Sequence, residues 1–374
     1  MRKICVVLTT RGNFAKMKTA MRAIVASSQL QLQLVIGGAL INRQSSIADE
    51  IRGEGFEIVG SLDYMLGSET PEAIGASAGL CMLRATDILA RLRPDVLVVI
   101  ADRYEALALA QAALYLNIRI AHLEGGELSG SIDERIRHAI TKLAHYHFPA
   151  NAEAAARLLR LGEPEQSILT VGSPSFDLLR EEAGTERLGR RVPGFKLTRS
   201  FLLVSQHPVV TEYADAPRQY AVLMDSLYQL GMPAILVWPN NDAGAQAITG
   251  PLAELRARKS APEIANVAGL PIEEYGAALR STACLVGNSS SGIREAAFLG
   301  TPAVNIGNRQ LARTRSANVV DVRCDAEAIV GAVRRQIAHG RYPSDHRYGD
   351  GAAGTQIARF LTDYWPALDK RITF

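Results

Sequence analysis

Four carboxylates and two histidines crowd one short passage of this chain, His122-Leu123-Glu124-Gly125-Gly126-Glu127-Leu128-Ser129-Gly130-Ser131-Ile132-Asp133-Glu134-Arg135-Ile136-Arg137-His138. An apolar run leads into it, a glycine-rich turn follows, and an amphipathic helical pattern leaves it. In open α/β sheets, ligands sit at the carboxyl ends of strands, so the passage reads as the acid/base centre of an enzyme. Asp102-Arg103-Tyr104-Glu105 follows a second apolar run, 96–100. Asp102 either caps the helix that follows or faces a cleft, with Arg103 beside it to hold phosphate or tune its charge. If the two strands are neighbours, Asp102 and Glu124 share one rim. Two such carboxylates drive their pKa values apart, so one can hold a proton while the other acts as a base. Ser131 and Glu134 fit a capping box. Asp133 lies in the first helical turn, where the helix dipole favours its charge, and is expected as the third carboxylate.

A different chemistry is written in Gly287-Asn288-Ser289-Ser290-Ser291-Gly292-Ile293-Arg294-Glu295. Small residues let backbone approach an anion, and serines add hydroxyl donors. The same pattern also fits a tight strand-to-helix turn with serine caps, and the G-K-[ST] ending of a P-loop is absent. Arg11 and Lys16, Ser205-Gln206-His207-Pro208, Pro239-Asn240-Asn241-Asp242 and Gly307-Asn308-Arg309-Gln310 follow other strand-like runs. Basic and amide residues at so many strand ends suggest an anionic, polyhydroxylated ligand. His138, His145 and His147 lack matched metal-ligand spacing, so neither a metal nor a cofactor is expected.

The elements that must position these residues alternate. Apolar runs at 3–8, 32–36, 96–100, 118–123, 201–204, 234–237, 284–286 and 303–306 are separated by helical patterns such as 104–116. Continuous apolar strands between helices indicate parallel sheets covered on both faces. A charged, glycine-bearing stretch at 180–200 reads as a linker. The expected fold is α/β, with two doubly wound Rossmann-like domains and a cleft between their strand ends. Residues 1–178 would carry the carboxylates, and 179–350 would hold the serine-bearing turn for the anionic ligand. Residues 351–374 would form a helix packing back across the linker. The 374 residues suffice for two such cores, and 48% hydrophobic with 21% charged residues fits a globular chain.

A net charge of +3 is too small to suggest nucleic acid or an anionic membrane as partner. No apolar run is expected to reach bilayer length. The opening Met1-Arg2-Lys3-Ile4-Cys5-Val6-Val7-Leu8 reads as a buried strand rather than a signal peptide, since Arg11 follows at once. Cys5, Cys81, Cys284 and Cys324 are scattered without a C-x-x-C pair, which suggests reduced thiols and a cytoplasmic protein.

Together these residues resemble the UDP-N-acetylglucosamine 2-epimerase family, in its hydrolysing branch, over nearly the whole chain. The carriers are Arg11 and Lys16, Asp102-Arg103-Tyr104-Glu105, His122 to Glu134, Arg137-His138-Ala139-Ile140-Thr141-Lys142-Leu143, Gln206-His207-Pro208, Pro239-Asn240 with Asp242, Gly287-Asn288-Ser289-Ser290 and Arg309-Gln310. The resemblance implies a glycosyltransferase-B (GT-B) fold with its active site in the interdomain cleft, and a homodimer or higher homo-oligomer. It implies conversion of a UDP-2-acetamido sugar and water to UDP and the free 2-epimer, in sialic-acid-type sugar synthesis. It places Asp102, Glu124 and Asp133 as acid/base carboxylates and His207 at the departing diphosphate. Ser289 and Ser290 would hold phosphate and Glu295 the ribose. Arg11, Lys16, Arg103, Asn240 and Arg309 would line the nucleotide-sugar cleft.

Two departures are Ala101 and Ala312, where the family often has glycine. Glu124 leads into Gly-Gly-Glu instead of the E-A-G-L-R-T of the non-hydrolysing branch. UDP-N-acetylglucosamine and UDP-N,N'-diacetylbacillosamine are both open as substrate. A GT-B glycosyltransferase and a non-catalytic nucleotide-sugar binder are the rival functions.

Overall fold

The computed structural model describes residues 1–41, 47–67, 70–129, 132–179, 185–198, 200–239 and 244–371. They fall into two units. The first comprises Met1–Leu128, Ile132–Leu178 and Tyr348–Phe374, and the second is built on Leu179–Arg347.

The sheet of the first unit contains β1 (Arg2–Leu8), β2 (Leu30–Gly37), β3 (Ile58–Leu62), β4 (Val96–Ile100), β5 (Arg119–Leu123) and β6 (Tyr146–Phe148). Their order is β3-β2-β1-β4-β5-β6, with every pair parallel. The second unit repeats the plan with β7 (Leu202–Ser205), β8 (Ala234–Val237), β9 (Ile264–Val267), β10 (Cys284–Gly287), β11 (Ala303–Ile306) and β12 (Val319–Val322). Their order is β12-β11-β10-β7-β8-β9, again all parallel. Each sheet is doubly wound, and its winding reverses between β1 and β4 or between β7 and β10. Crevices for ligands open at such reversals.

Period-2 alternation explains why the central strands are apolar throughout. Along β1, Ile4, Val6 and Leu8 enter the core on one face, while Cys5 and Val7 enter the core on the other. In the second sheet, Leu202 and Val204 point to one side and Leu203 to the other. The strands β3, β9 and β12 escaped the sequence reading. They lie near or at the sheet edges, are half-exposed and carry polar residues, so they lack the continuous apolar signature.

Contrary to the expectation about bilayer length, the helix Pro71–Leu92 is long and apolar enough to cross a membrane by length and composition. It carries Glu72, Arg84, Asp87 and Arg91, and it packs on the helix Tyr104–Tyr115 through a face that includes Cys81, Ala85 and Leu89. The helix Ala353–Asp363 packs on Arg11–Ala26 within the first unit. Asp177 accepts the Ala353 and Gly354 N–H groups at 3.0 and 2.8 Å, capping that helix. Arg2 Nη1 donates to the carbonyls of Leu361 and Thr362 at its other end.

Candidate active site

The register of the first sheet sets the acidic groups. β4 and β5 pair with Ile100 opposite Leu123, so the turns holding Asp102 and Glu124 leave adjacent strands at the same edge. Both turns begin with a left-handed residue, Ala101 at φ +59° and Glu124 at +64°. Each such residue costs roughly 1 kcal/mol when it is not glycine, and this strain clusters where function requires it. Backbone bonds hold both residues in the ladder: Ala101 N–H donates to Leu123 O at 3.0 Å and Glu124 N–H to Phe148 O at 2.9 Å.

Asp102 lies just before the N-cap position of the next helix. Its N-cap residue is Arg103, which makes no side-chain cap, while the Asp102 carboxylate accepts from Arg137 Nη2. Arg137 is almost wholly buried and also donates to Glu127 O at 2.7 Å. Burial alone would lower its pKa, but the carboxylates of Asp102, Glu127 and Asp133 reverse the effect and raise it. One buried guanidinium therefore gathers Asp102 and Asp133 into one field. Glu124, also buried, is met by Lys16 Nζ at 2.5 Å, a charge-assisted contact. Arg103 Nε donates to Glu105 at 2.7 Å, and Arg11 pairs with Glu50 at 2.7 Å.

Thr9 Oγ donates to Glu105 at 3.0 Å where β1 and β4 diverge. The space left there, bordered by Thr9, Asn13, Arg103 and Glu105, is about 10 Å³, room for at most one water. Glu134 of the expected capping box lies 3.7 Å from His138 Nε2, and Ser131 lies outside the described residues.

The second unit presents a different rim. Gly287 closes β10 at φ +138°, and a Cβ there would lie 2.1 Å from Ser205 O, so only glycine fits. Asn288 then ties the two central strands together. Its Oδ1 accepts the His207 N–H at 2.7 Å and its Nδ2 donates to His207 O at 2.8 Å. Arg309 and Gln310 both donate to its carbonyl, at 3.3 and 2.9 Å. Ser291 Oγ donates to Ser289 Oγ at 2.9 Å and meets Tyr275 Oη at 2.5 Å.

The helix expected after the serines is shorter than its sequence suggests, a 3-10 turn Ser290–Gly292 followed by Glu295–Phe298. Serine hydroxyls, rather than a long helix dipole, therefore characterise this turn. Glu295 is buried. A cavity of about 460 Å³ opens beside Asn288, lined by Gln206, Gln219 and Asn308 and by the charged Glu212, Asp215, Arg218, Asp321 and Arg323. Asn240 lies outside the described residues.

The structure thus brings Lys16, Asp102, Glu124 and Asp133 to the rim of the first sheet, and His207, Ser289, Ser290 and Arg309 to the rim of the second. Tyr275 was not singled out from the sequence, and Arg137 and Asn288 stood there only within the motifs that carry the resemblance, with no role assigned. The spacing Asp133-x-x-x-Arg137 is the signal that could have exposed Arg137, since residues four apart share a helix face. Among the described residues, no group of three or more His, Cys, Asp or Glu could hold a metal ion.

Comparison with known proteins shows the family and the fold. A family model described as UDP-N-acetylglucosamine 2-epimerase matches residues 22–362. A protein of Legionella pneumophila described as UDP-N,N'-diacetylbacillosamine 2-epimerase (hydrolyzing) is 32% identical, over 96% of this chain and 95% of its own. A UDP-N-acetylglucosamine 2-epimerase of Neisseria meningitidis is 29% identical, over 96% and 94%. The crystal structure of Methanocaldococcus jannaschii UDP-GlcNAc 2-epimerase with UDP-GlcNAc and UDP superposes with a TM-score of 0.80 at 19% identity, over 96% of this chain and 99% of that one. That likeness establishes the two-domain GT-B type of fold. The chain belongs to the UDP-N-acetylglucosamine 2-epimerase family.

Proposed function

We propose that this enzyme is a hydrolysing 2-epimerase, converting a UDP-2-acetamido sugar and water to UDP and the free 2-epimer. The observation that carries the reading is the gathering of Asp102 and Asp133 about Arg137, one strand from Glu124 and Lys16. The C2 proton of such a sugar is weakly acidic, so its removal needs a positioned base. In the first half-reaction a carboxylate takes that proton, the C1–O bond breaks, UDP leaves with the bonding pair, and a C1–C2 double bond forms. In the second, a different carboxylic acid delivers a proton to C2 from the opposite face, while water adds its oxygen to C1 and gives up a proton to the carboxylate so formed. The first acid releases the abstracted C2 proton to solvent, and both groups return to their starting protonation states.

The leaving diphosphate gains charge, which His207, Arg309 and the hydroxyls of Ser289 and Ser290 are suited to stabilise. Lys16 and Arg137 hold the carboxylates of Glu124 and Asp102 in place. Glu295, Arg11, Arg103 and Asn240 complete the binding set. Neither half-reaction calls for a metal or redox cofactor, and a chelator is expected to leave turnover unchanged.

Two observations refine this reading. Glu124-Gly125-Gly126-Glu127 favours the hydrolysing branch. The name of the L. pneumophila relative favours UDP-N,N'-diacetylbacillosamine over UDP-N-acetylglucosamine. Incubation with each sugar nucleotide, without any acceptor, tests both points. The expected products are UDP and a free 2-epimer, N-acetylmannosamine in the case of UDP-N-acetylglucosamine. Release of UDP only when an acceptor sugar is added would make the protein a glycosyltransferase, and tight UDP binding with both substrates left intact would make it a binder. We place the enzyme in the cytoplasm as a homodimer, which light scattering of the purified protein checks.

A further inference from the structure

We propose that His122 is a positioning residue whose imidazole fixes the relative placement of the three carboxylate-bearing segments of the first unit. The inference rests on the reaction proposed above. His122 is completely buried on β5, two residues before Glu124, and its ring meets all three segments. Nε2 lies 2.8 Å from the carbonyl oxygen of Ala101, the left-handed residue that aims Asp102. Nδ1 lies 3.3 Å from Thr141 Oγ. Thr141 sits on the helix Ile132–Leu143, which carries Asp133 in its first turn and Arg137 midway. Gly125, next to Glu124, packs directly on the ring, since a Cβ there would lie 2.9 Å from Nδ1.

The chemistry of these contacts settles the tautomer. A carbonyl oxygen only accepts, so Nε2 bears the hydrogen and donates to Ala101. Nδ1 then offers its lone pair to the Thr141 hydroxyl. Burial pushes the imidazole pKa down to about 3, so the ring is neutral and keeps this donor–acceptor polarity through catalysis. It is a clamp, not a proton carrier. Each contact secures a different segment: the first stabilises the strained turn before Asp102, the second the helix of Asp133 and Arg137, and the third the turn after Glu124. Misplacing a catalytic group by a fraction of an ångström to an ångström costs rate far more than it costs ligand affinity.

The experiment compares His122→Phe, His122→Gln and the double variant His122→Phe/Ala101→Gly in the full-length enzyme. Each is assayed for kcat, KM and UDP affinity, and for the position of the Asp102 carboxylate relative to Arg137 by crystallography. His122→Phe is expected to lower kcat about 100-fold with KM and UDP affinity changed by less than about threefold. His122→Gln keeps an N–H donor for Ala101 and is expected to remain within about tenfold of the parent. Ala101→Gly, added to His122→Phe, lets the turn hold φ +59° without the clamp and is expected to restore a large part of kcat.

Parental kcat in His122→Phe overturns the proposal. So does a loss that neither glutamine nor the glycine relieves, with Asp102 still on Arg137, because the ring would then be core filling alone. If His122→Phe does not fold, the His122→Gln and Thr141→Val single variants carry the same comparison, and parental kcat in Thr141→Val with an unmoved helix overturns it. A parent enzyme that releases no UDP from any UDP-2-acetamido sugar refutes the proposed reaction instead. The crystallographic displacement of Asp102 then still reports on the clamp.

Discussion

The two sheets share one strand order and differ at their rims. In the first unit, Thr9, Asn13, Arg103 and Glu105 border a small cavity of about 10 Å³ at the reversal between β1 and β4. Its acids lie one strand further on, at the edge of β4 and β5, each matched with a buried or half-buried cation. In the second unit, the reversal between β7 and β10 carries the amide of Asn288 and the hydroxyls of Ser289 and Ser291, and a cavity of about 460 Å³ lined by amides and charged side chains opens beside Asn288. The hydroxyls of the serine turn suit a ligand that brings its own charge. In the reaction proposed above, the same winding would serve proton transfer in one unit and anion retention in the other.

Substitutions can break or sharpen this division. The largest effect is expected from Asp102→Asn, Glu124→Gln and Asp133→Asn, each lowering turnover by about 10²–10⁴-fold while UDP affinity, read by calorimetry, moves by less than about threefold. A variant that loses UDP affinity in proportion to turnover would dissolve the division. Next comes Gly287→Ala, whose Cβ would collide with Ser205 O. About 3 kcal/mol of stability should be lost from the second unit, while hydrogen exchange in β4 and β5 stays at parental rates.

Acid should then act on the first unit. The pKa of His122 falls to about 3 through burial, so the unfolded chain takes up that proton first. Burial alone would raise the Glu163 value, but bonds from His147, Lys142 and Lys370 outweigh it and bring it down to about 2. Both groups make stability fall with pH, His122 from about 6.5 towards 3 and Glu163 from about 4.5 towards 2, each at up to about 1.4 kcal/mol per pH unit. Urea midpoints across that range should decline less steeply in His122→Gln. An unchanged slope would mean that the ring is not held neutral. The smallest effect is expected from Ser290→Ala, which should weaken UDP binding about tenfold, the value of one hydrogen bond to a charged group, and leave the kcat of saturated enzyme near the parental value.

Much of this was legible in the sequence because each signal was local. Buried parallel strands read as unbroken apolar runs, and β1, β4, β5, β8, β10 and β11 follow from that alone. The carboxylates were legible because Asp102 and Glu124 each terminate such a run. Two kinds of feature stayed hidden. Edge strands such as β12, Val-Val-Asp-Val with its residues half-exposed, carry too little apolar pattern to stand out. Partnerships across the fold leave no local trace. Nothing near Asp102 announces that Arg137, 35 positions later, will hold its carboxylate, and nothing in Gly287-Asn288 shows that Asn288 binds the backbone of His207, 81 positions earlier. Ala101 looked like a minor replacement of glycine, yet its φ of +59° makes it a strained hinge.

The most direct test of proton transfer at the first unit's rim is turnover in heavy water, with the C2 position of the released sugar read by NMR. The account requires UDP to appear together with a free sugar inverted at C2 and carrying one solvent deuterium there, with both signals lost in Glu124→Gln or Asp102→Asn. Released sugar that keeps its original C2 hydrogen would contradict it.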